Sequence, residues 1–148
     1  MIPEPYRDLL VHHHHMTVTV EAFYQQPVDV RVLATRHEGN SYHREILLEL
    51  HESKKVVQFG IVRIDLTCCS DSVREAILEE KTPLGRILIE HNVLRRIEPT
   101  AFLRIDPGPK LVQWFGMAKP TPTYGRMGVI FCDDRPAIAV LEILTPIS

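Results

Sequence analysis

The stretch Tyr42-His43-Arg44-Glu45-Ile46-Leu47-Leu48-Glu49-Leu50-His51 decides the fold, because its side chains sort with a period of two. Arg44, Ile46 and Leu48 fall on one face of a strand, and His43, Glu45 and Leu47 on the other. A second β-rich run, Val56 to Leu66, follows the polar Glu52-Ser53-Lys54-Lys55, so the two runs make an antiparallel hairpin. Upstream, Val28, Val30 and Val32 alternate with Asp29 and Arg31, and Glu38-Gly39-Asn40 punctuates the end of this earlier strand. The segment Pro3 to Gln26 spaces Leu9, Leu10, Val11, Met16, Val20 and Phe23 roughly as one or two short helices.

Downstream, Cys68 to Asn92 reads as a helix-turn-helix. Asp71 or Ser72 can cap the first helix, Val73, Ile77 and Leu78 give it an apolar face, and Thr82-Pro83 breaks it and starts the second. Leu94 to Asp106 is a further strand, ending at Pro107-Gly108-Pro109. After a Pro- and Thr-rich loop, Tyr124 to Cys132 and Pro136 to Thr145 form a last hairpin around Asp133-Asp134-Arg135. Strands without strand-helix-strand alternation imply an α+β fold with a mainly antiparallel sheet of about six strands.

The chain has 148 residues, and at about 150 residues per domain it is expected to form one domain, 1–148. Seventeen basic and nineteen acidic residues leave a net charge of −2, without the basic footprint of a nucleic-acid binder. Glu4, Arg7 and Asp8 interrupt the amino-terminal segment where a secretory signal needs an apolar run, and no apolar run approaches membrane-spanning length. Three cysteines, with Cys68 and Cys69 adjacent and Cys132 distant, suit reduced thiols and a cytoplasmic setting. No GxSxG, HExxH, P-loop or GxGxxG motif is present, which removes the common hydrolase, metalloprotease and nucleotide-binding classes.

Four features carry candidate chemistry. Arg44 shares a strand face with isoleucine and leucine, which is costly unless an anion meets it: either a bound carboxylate or an internal Asp or Glu. Glu142 has apolar neighbours on whichever face of the last strand it lies, so its ionisation depends on what lines that face; the plain alternative is an edge residue. Pro83-Leu84-Gly85-Arg86 joins the two helices, where Gly85 allows a close backbone approach, or simply makes a turn. His12-His13-His14-His15 invites a metal reading, but consecutive helical positions diverge, so no metal site is expected and the tract reads as solvent-facing.

Taken in order, Met16-Thr17, Arg44-Glu45-Ile46-Leu47-Leu48, Thr82-Pro83-Leu84-Gly85-Arg86, Tyr124-Gly125-Arg126 and Glu142 with Pro146 resemble the chorismate lyase (chorismate pyruvate-lyase) family of the UTRA-like fold superfamily, over about Leu9 to Pro146. The resemblance implies a six-stranded antiparallel sheet with helices packed on it and helical flaps over an internal ligand cavity. It implies conversion of chorismate to 4-hydroxybenzoate and pyruvate without metal or organic cofactor, as in ubiquinone biosynthesis. By position, Arg44 grips the ring carboxylate and Glu142 meets the ring hydroxyl, with Met16, Leu84 and Gly85 at the flaps and Arg126 as the candidate second cation. Leu141 and Met127 depart from the family pattern and bear on pocket polarity; Trp114-Phe115 either caps the pocket or makes a protein contact. The same fold resembles the effector-binding domain of GntR-type regulators, so the competing function is non-catalytic sensing of an aromatic acid. The expected partner is a small molecule rather than nucleic acid or membrane, and the chain is expected to be a monomer or small homo-oligomer.

Overall fold

A computed structural model describes residues 2–147. Two short helices, α1 (Tyr6–Leu10) and α2 (Met16–Tyr24), precede three strands, β1 (Val28–Glu38), β2 (Ser41–Leu50) and β3 (Val56–Asp65). A 3-10 turn at Leu66–Cys68 leads into α3 (Asp71–Leu78) and α4 (Leu84–Glu90). Then come β4 (Arg95–Ile105), α5 (Pro109–Trp114), β5 (Thr123–Cys132) and β6 (Arg135–Leu144). The architecture is the α+β one expected, with a single six-stranded sheet in the order β1-β2-β3-β6-β5-β4 and every neighbouring pair antiparallel.

The order resolves into two three-stranded meanders that meet along β3 and β6, with the α3–α4 hairpin carrying the chain from one to the other. Both tight turns use residues suited to their backbone: Gly39 sits at φ +57 between β1 and β2, and Asp133 and Asp134 take φ +51 and +63 between β5 and β6. The cap of α3 lies one residue before the expected pair, since the Ser70 side chain accepts from Val73 N at 3.3 Å. Pro83 stands at the N-cap of α4, just ahead of its first turn.

One face of the sheet is covered by α1 to α4. There Tyr42, Val62, Ile64 and Val140 meet Val73, Ile77, Ile87 and Leu88, while Ile46, Leu48 and Leu144 meet Leu10, Met16 and Val20. The opposite face is covered locally by α5, a helix hidden in the sequence because only six residues stand between Gly108 and the Phe115 cap. Trp114 stacks on Phe59 at 5.0 Å, and Phe115 packs with Leu47 and Ile143. This pair therefore caps no pocket under the flaps; it closes a second small core behind the sheet. Among the described residues, no helix is long and apolar enough to cross a membrane.

Candidate functional site

Alternation along β2, β3 and β6 aims Arg44, Ile46, Leu48, Gln58, Gly60, Val62, Val140 and Glu142 at the helix-covered face. With His15, Met16 and Thr17 at the start of α2, and Pro83, Leu84 and Gly85 at the start of α4, they enclose a cavity of about 50 Å³. The cavity lies over the seam between the meanders. Its floor is a transverse row, Ile46 on β2, Gly60 on β3 and Glu142 on β6, in direct register. A Cβ on Gly60 would meet Ile46 Cδ1 at 3.3 Å, so glycine keeps the middle of the floor open.

Arg44 lies two register pairs further along, on the same face, and two strands away from Glu142, about 10 Å in the direction across the strands. Its side chain is among the largest fully enclosed ones, and its Nε and Nη1 have no hydrogen-bond partner. Among the described residues no carboxylate forms an ion pair with it, so the internal Asp or Glu allowed by the sequence does not take that place. Burial pushes the guanidinium down from its ordinary value, an effect partly offset by the Tyr42 hydroxyl and then by Glu80. Tyr42 itself donates to Glu80 Oε1 at 2.9 Å, and burial together with that bond pushes its hydroxyl up to about 12.

Glu142 is not an exposed edge residue, since β6 runs between β3 and β5. Its Oε1 accepts from Arg126 Nε at 3.1 Å, and its side chain is 15% exposed. Burial raises its carboxyl above the ordinary range despite the pull of Arg126 and of the adjacent Gln58 amide. Gln58 Oε1 is buried and unpartnered as well. The cavity thus presents free guanidinium donors on one side and a Gln–Glu pair of acceptors on the other.

Arg126 stands behind this wall rather than on it. Besides Glu142, its Nη1 donates to the carbonyls of Leu10 (3.2 Å) and His12 (2.9 Å), and its Nη2 to that of His14 (2.8 Å). The side chain expected as a second ligand cation instead ties residues 10–14 to the acid of the cavity. Met16, Leu84 and Gly85 lie on the cavity wall; Leu141 and Met127 do not. Those two are register partners facing away from the cavity, with Leu141 packed on the α5 side and Met127 45% exposed, so they do not set pocket polarity.

The histidine tract departs from its solvent-facing expectation at His12, which is half-buried, and most of all at His15. It precedes α2 as a bent strap, with His13 and His14 exposed but His15 only 7% exposed at the cavity. Burial first, and Arg95 and Arg126 next, lower its imidazole to about 4. A Cβ on Gly85 would lie 3.0 Å from His15 Cβ and 3.1 Å from Thr17 Oγ1, so glycine lets the starts of α2 and α4 touch. The sequence signal for His15 is its place immediately before the helix that opens at Met16. Among the described residues, no group of three or more His, Cys, Asp or Glu is placed to hold a metal ion. A broader depression of about 640 Å³, which includes Arg63 and Asp65, is open to solvent and contains none of the unpartnered buried atoms found under the flaps.

No family model and no curated protein matches the sequence. Solved structures do match the fold. PhnF from Mycobacterium smegmatis superposes with a TM-score of 0.66 and 14% identity, over 91% of this chain and 65% of that one. The effector domain of PhnF from the same organism gives 0.66 and 14%, over 89% and 88%. A transcriptional regulator of the GntR family from Bacillus cereus gives 0.52 and 13%, over 80% and 92%. This chain therefore spans about two thirds of full-length PhnF and most of its effector domain. One of these neighbours is a transcriptional regulator and another an effector domain, whereas the motif resemblance pointed first to a lyase. What the chain shares with these neighbours is the α+β fold.

Proposed function

We propose that this chain binds one small carboxylic acid of the hydroxybenzoate class beneath α2 and α4, and serves as a ligand-sensing domain. The observation that carries this reading is Arg44, a guanidinium enclosed in the fold with two nitrogens unpartnered on a cavity wall. A buried charge without a counter-ion costs several kcal/mol, and a carboxylate matches its planar fork with two parallel hydrogen bonds. The free Gln58 Oε1 then accepts from a hydroxyl at the other end of the ring, beside Glu142. The effector domain of PhnF has the same fold, which supports a sensing role over a catalytic one.

The closed cavity of about 50 Å³ is smaller than the roughly 150 Å³ that accommodates benzene in a protein core. Binding thus requires the starts of α2 and α4 to move apart, and that movement is what a sensor transmits.

A second reading, chorismate lyase activity, is favoured by Glu142, whose raised carboxyl faces the same space. In that reaction the ring C–O bond to the enolpyruvyl group breaks and the hydrogen on the hydroxyl-bearing carbon leaves as a proton. Glu142 is the group to accept that proton, and the departing enolate becomes pyruvate on protonation. Arg44 would hold the ring carboxylate while aromatisation drives the step. Calorimetric titration with 4-hydroxybenzoate, beside a pyruvate assay with chorismate, separates the readings. Saturable one-to-one binding without turnover supports sensing; stoichiometric pyruvate and 4-hydroxybenzoate support the lyase; neither binding nor turnover refutes both.

A further inference from the structure

Among the described residues, six buried side-chain nitrogen and oxygen atoms have no hydrogen-bond partner, and four of the six belong to residues of the cavity. They are Arg44 Nε and Nη1, Gln58 Oε1 and His15 Nε2. Unmet polar atoms gathered around one space indicate what an occupant must supply. A carboxylate on Arg44 and one hydroxyl on Gln58 answer three of them, and His15 Nε2 is left over.

His15 is held against the cavity by its surroundings. It is buried, and a Cβ on Gly85 would lie 3.0 Å from its own, so the start of α4 presses directly upon it. Just before it, Arg126 binds the carbonyls of His12 and His14, and His13 Nδ1 pairs with the Ile97 carbonyl at 3.0 Å. Arg126 is also the partner of Glu142, and its charge acts on the His15 ring. That puts the ring toward the acceptor end of the cavity, with Glu142 and the adjacent Gln58.

The group that meets Nε2 must be uncharged. Burial keeps the imidazole neutral at pH 7, so Nε2 is a donor in one tautomer and an acceptor in the other. A hydroxyl satisfies both tautomers, whereas a carboxylate or an ammonium satisfies only one. Nor would a second anion find a counter-ion here: among the described residues lining the cavity, Arg44 is the one guanidinium or ammonium.

We propose that His15 Nε2 takes a second ring hydroxyl, next to the one on Gln58, so that the cavity selects aromatic acids carrying two neighbouring hydroxyls at the end away from the carboxylate. This rests on the hydroxybenzoate reading of the cavity and narrows its ligand class to catechol-type acids, of which 3,4-dihydroxybenzoate is the simplest. Such a ligand answers all four unmet atoms at once.

The test compares 4-hydroxybenzoate, 3,4-dihydroxybenzoate and 2,4-dihydroxybenzoate by calorimetry. The wild-type chain is expected to bind the 3,4-isomer about tenfold more tightly than the monohydroxy acid, the worth of one buried hydrogen bond that would otherwise go unmade. The 2,4-isomer, whose extra hydroxyl lies beside the carboxylate, is expected to gain nothing. His15→Phe is expected to bring 3,4-dihydroxybenzoate within about twofold of 4-hydroxybenzoate, while His15→Gln, which keeps a polar group there, retains part of the margin. Equal binding of the 3,4-isomer and the monohydroxy acid by the wild type overturns the second hydroxyl and leaves the Arg44–Gln58 reading standing. An equal gain by the 2,4-isomer, or a margin that survives His15→Phe, removes His15 from ligand recognition. Failure of all three acids to bind refutes the hydroxybenzoate reading itself.

Discussion

Arg126 and Glu142 are direct register partners on β5 and β6, and the Nε–Oε1 bond of 3.1 Å between them joins the cavity acid to the strap over residues 10–14. Arg126 is fully enclosed, and Glu142 keeps only a small exposed fraction. Arg126→Met leaves a buried carboxylate and three carbonyls short of donors, and is expected to cost about 3–5 kcal/mol in urea unfolding. Adding Glu142→Leu to that variant should recover part of the loss but not all of it, because the carbonyls of Leu10, His12 and His14 stay unsatisfied. Full recovery would mean that the strap does not depend on Arg126.

His15 gives the fold a signature in acid. Its folded value of about 4 lies below the ordinary 6.5, so the stability it contributes is fully present above pH 6.5 and is lost as pH falls toward 4. The loss is on the order of 3 kcal/mol. His15→Gln, which cannot take up that proton, should show a shallower decline across this window in chemical denaturation. Identical slopes for the two proteins would place His15 in solvent.

Gly60 clears the cavity floor, and its absent side chain is the reason there is space between Ile46 and Glu142. Gly60→Val should leave the circular dichroism spectrum unchanged while weakening 4-hydroxybenzoate at least tenfold, about 1.4 kcal/mol. Undiminished affinity would show that the ligand sits elsewhere.

Trp114 reports on the opposite face. Removing its ring from Phe59 by Trp114→Ala should destabilise the chain by about 2–3 kcal/mol, with acid binding unchanged, because α5 and the cavity are on different sides of the sheet. A parallel loss of affinity would contradict that separation.

Much of the site could be read from the strand period alone. Alternation placed Arg44 with Ile46 and Leu48, and Glu142 with Val140, on faces that prove to be the cavity wall. The partner of Glu142 was not legible in this way. Counting back from the two-residue turn at Asp133-Asp134 pairs Arg126 with Leu141, one residue off, and only the irregularity between Ile130 and Phe131 slips the ladder so that Arg126 meets Glu142. That slip turns a prospective ligand cation into a structural one. The helix α5 was obscured by its shortness and flanking Pro-Gly-Pro, and His15 by its membership of a tract whose other members are more open to solvent.

The central claim is that Arg44 is kept in the fold for a ligand carboxylate and not for stability, and Arg44→Met tests both halves at once. The variant removes a buried, unpartnered charge, so its urea midpoint should rise, while calorimetry with 4-hydroxybenzoate should show affinity reduced at least a hundredfold, about 2.7 kcal/mol. Unchanged binding, or a fold weakened by loss of the guanidinium, would contradict the account.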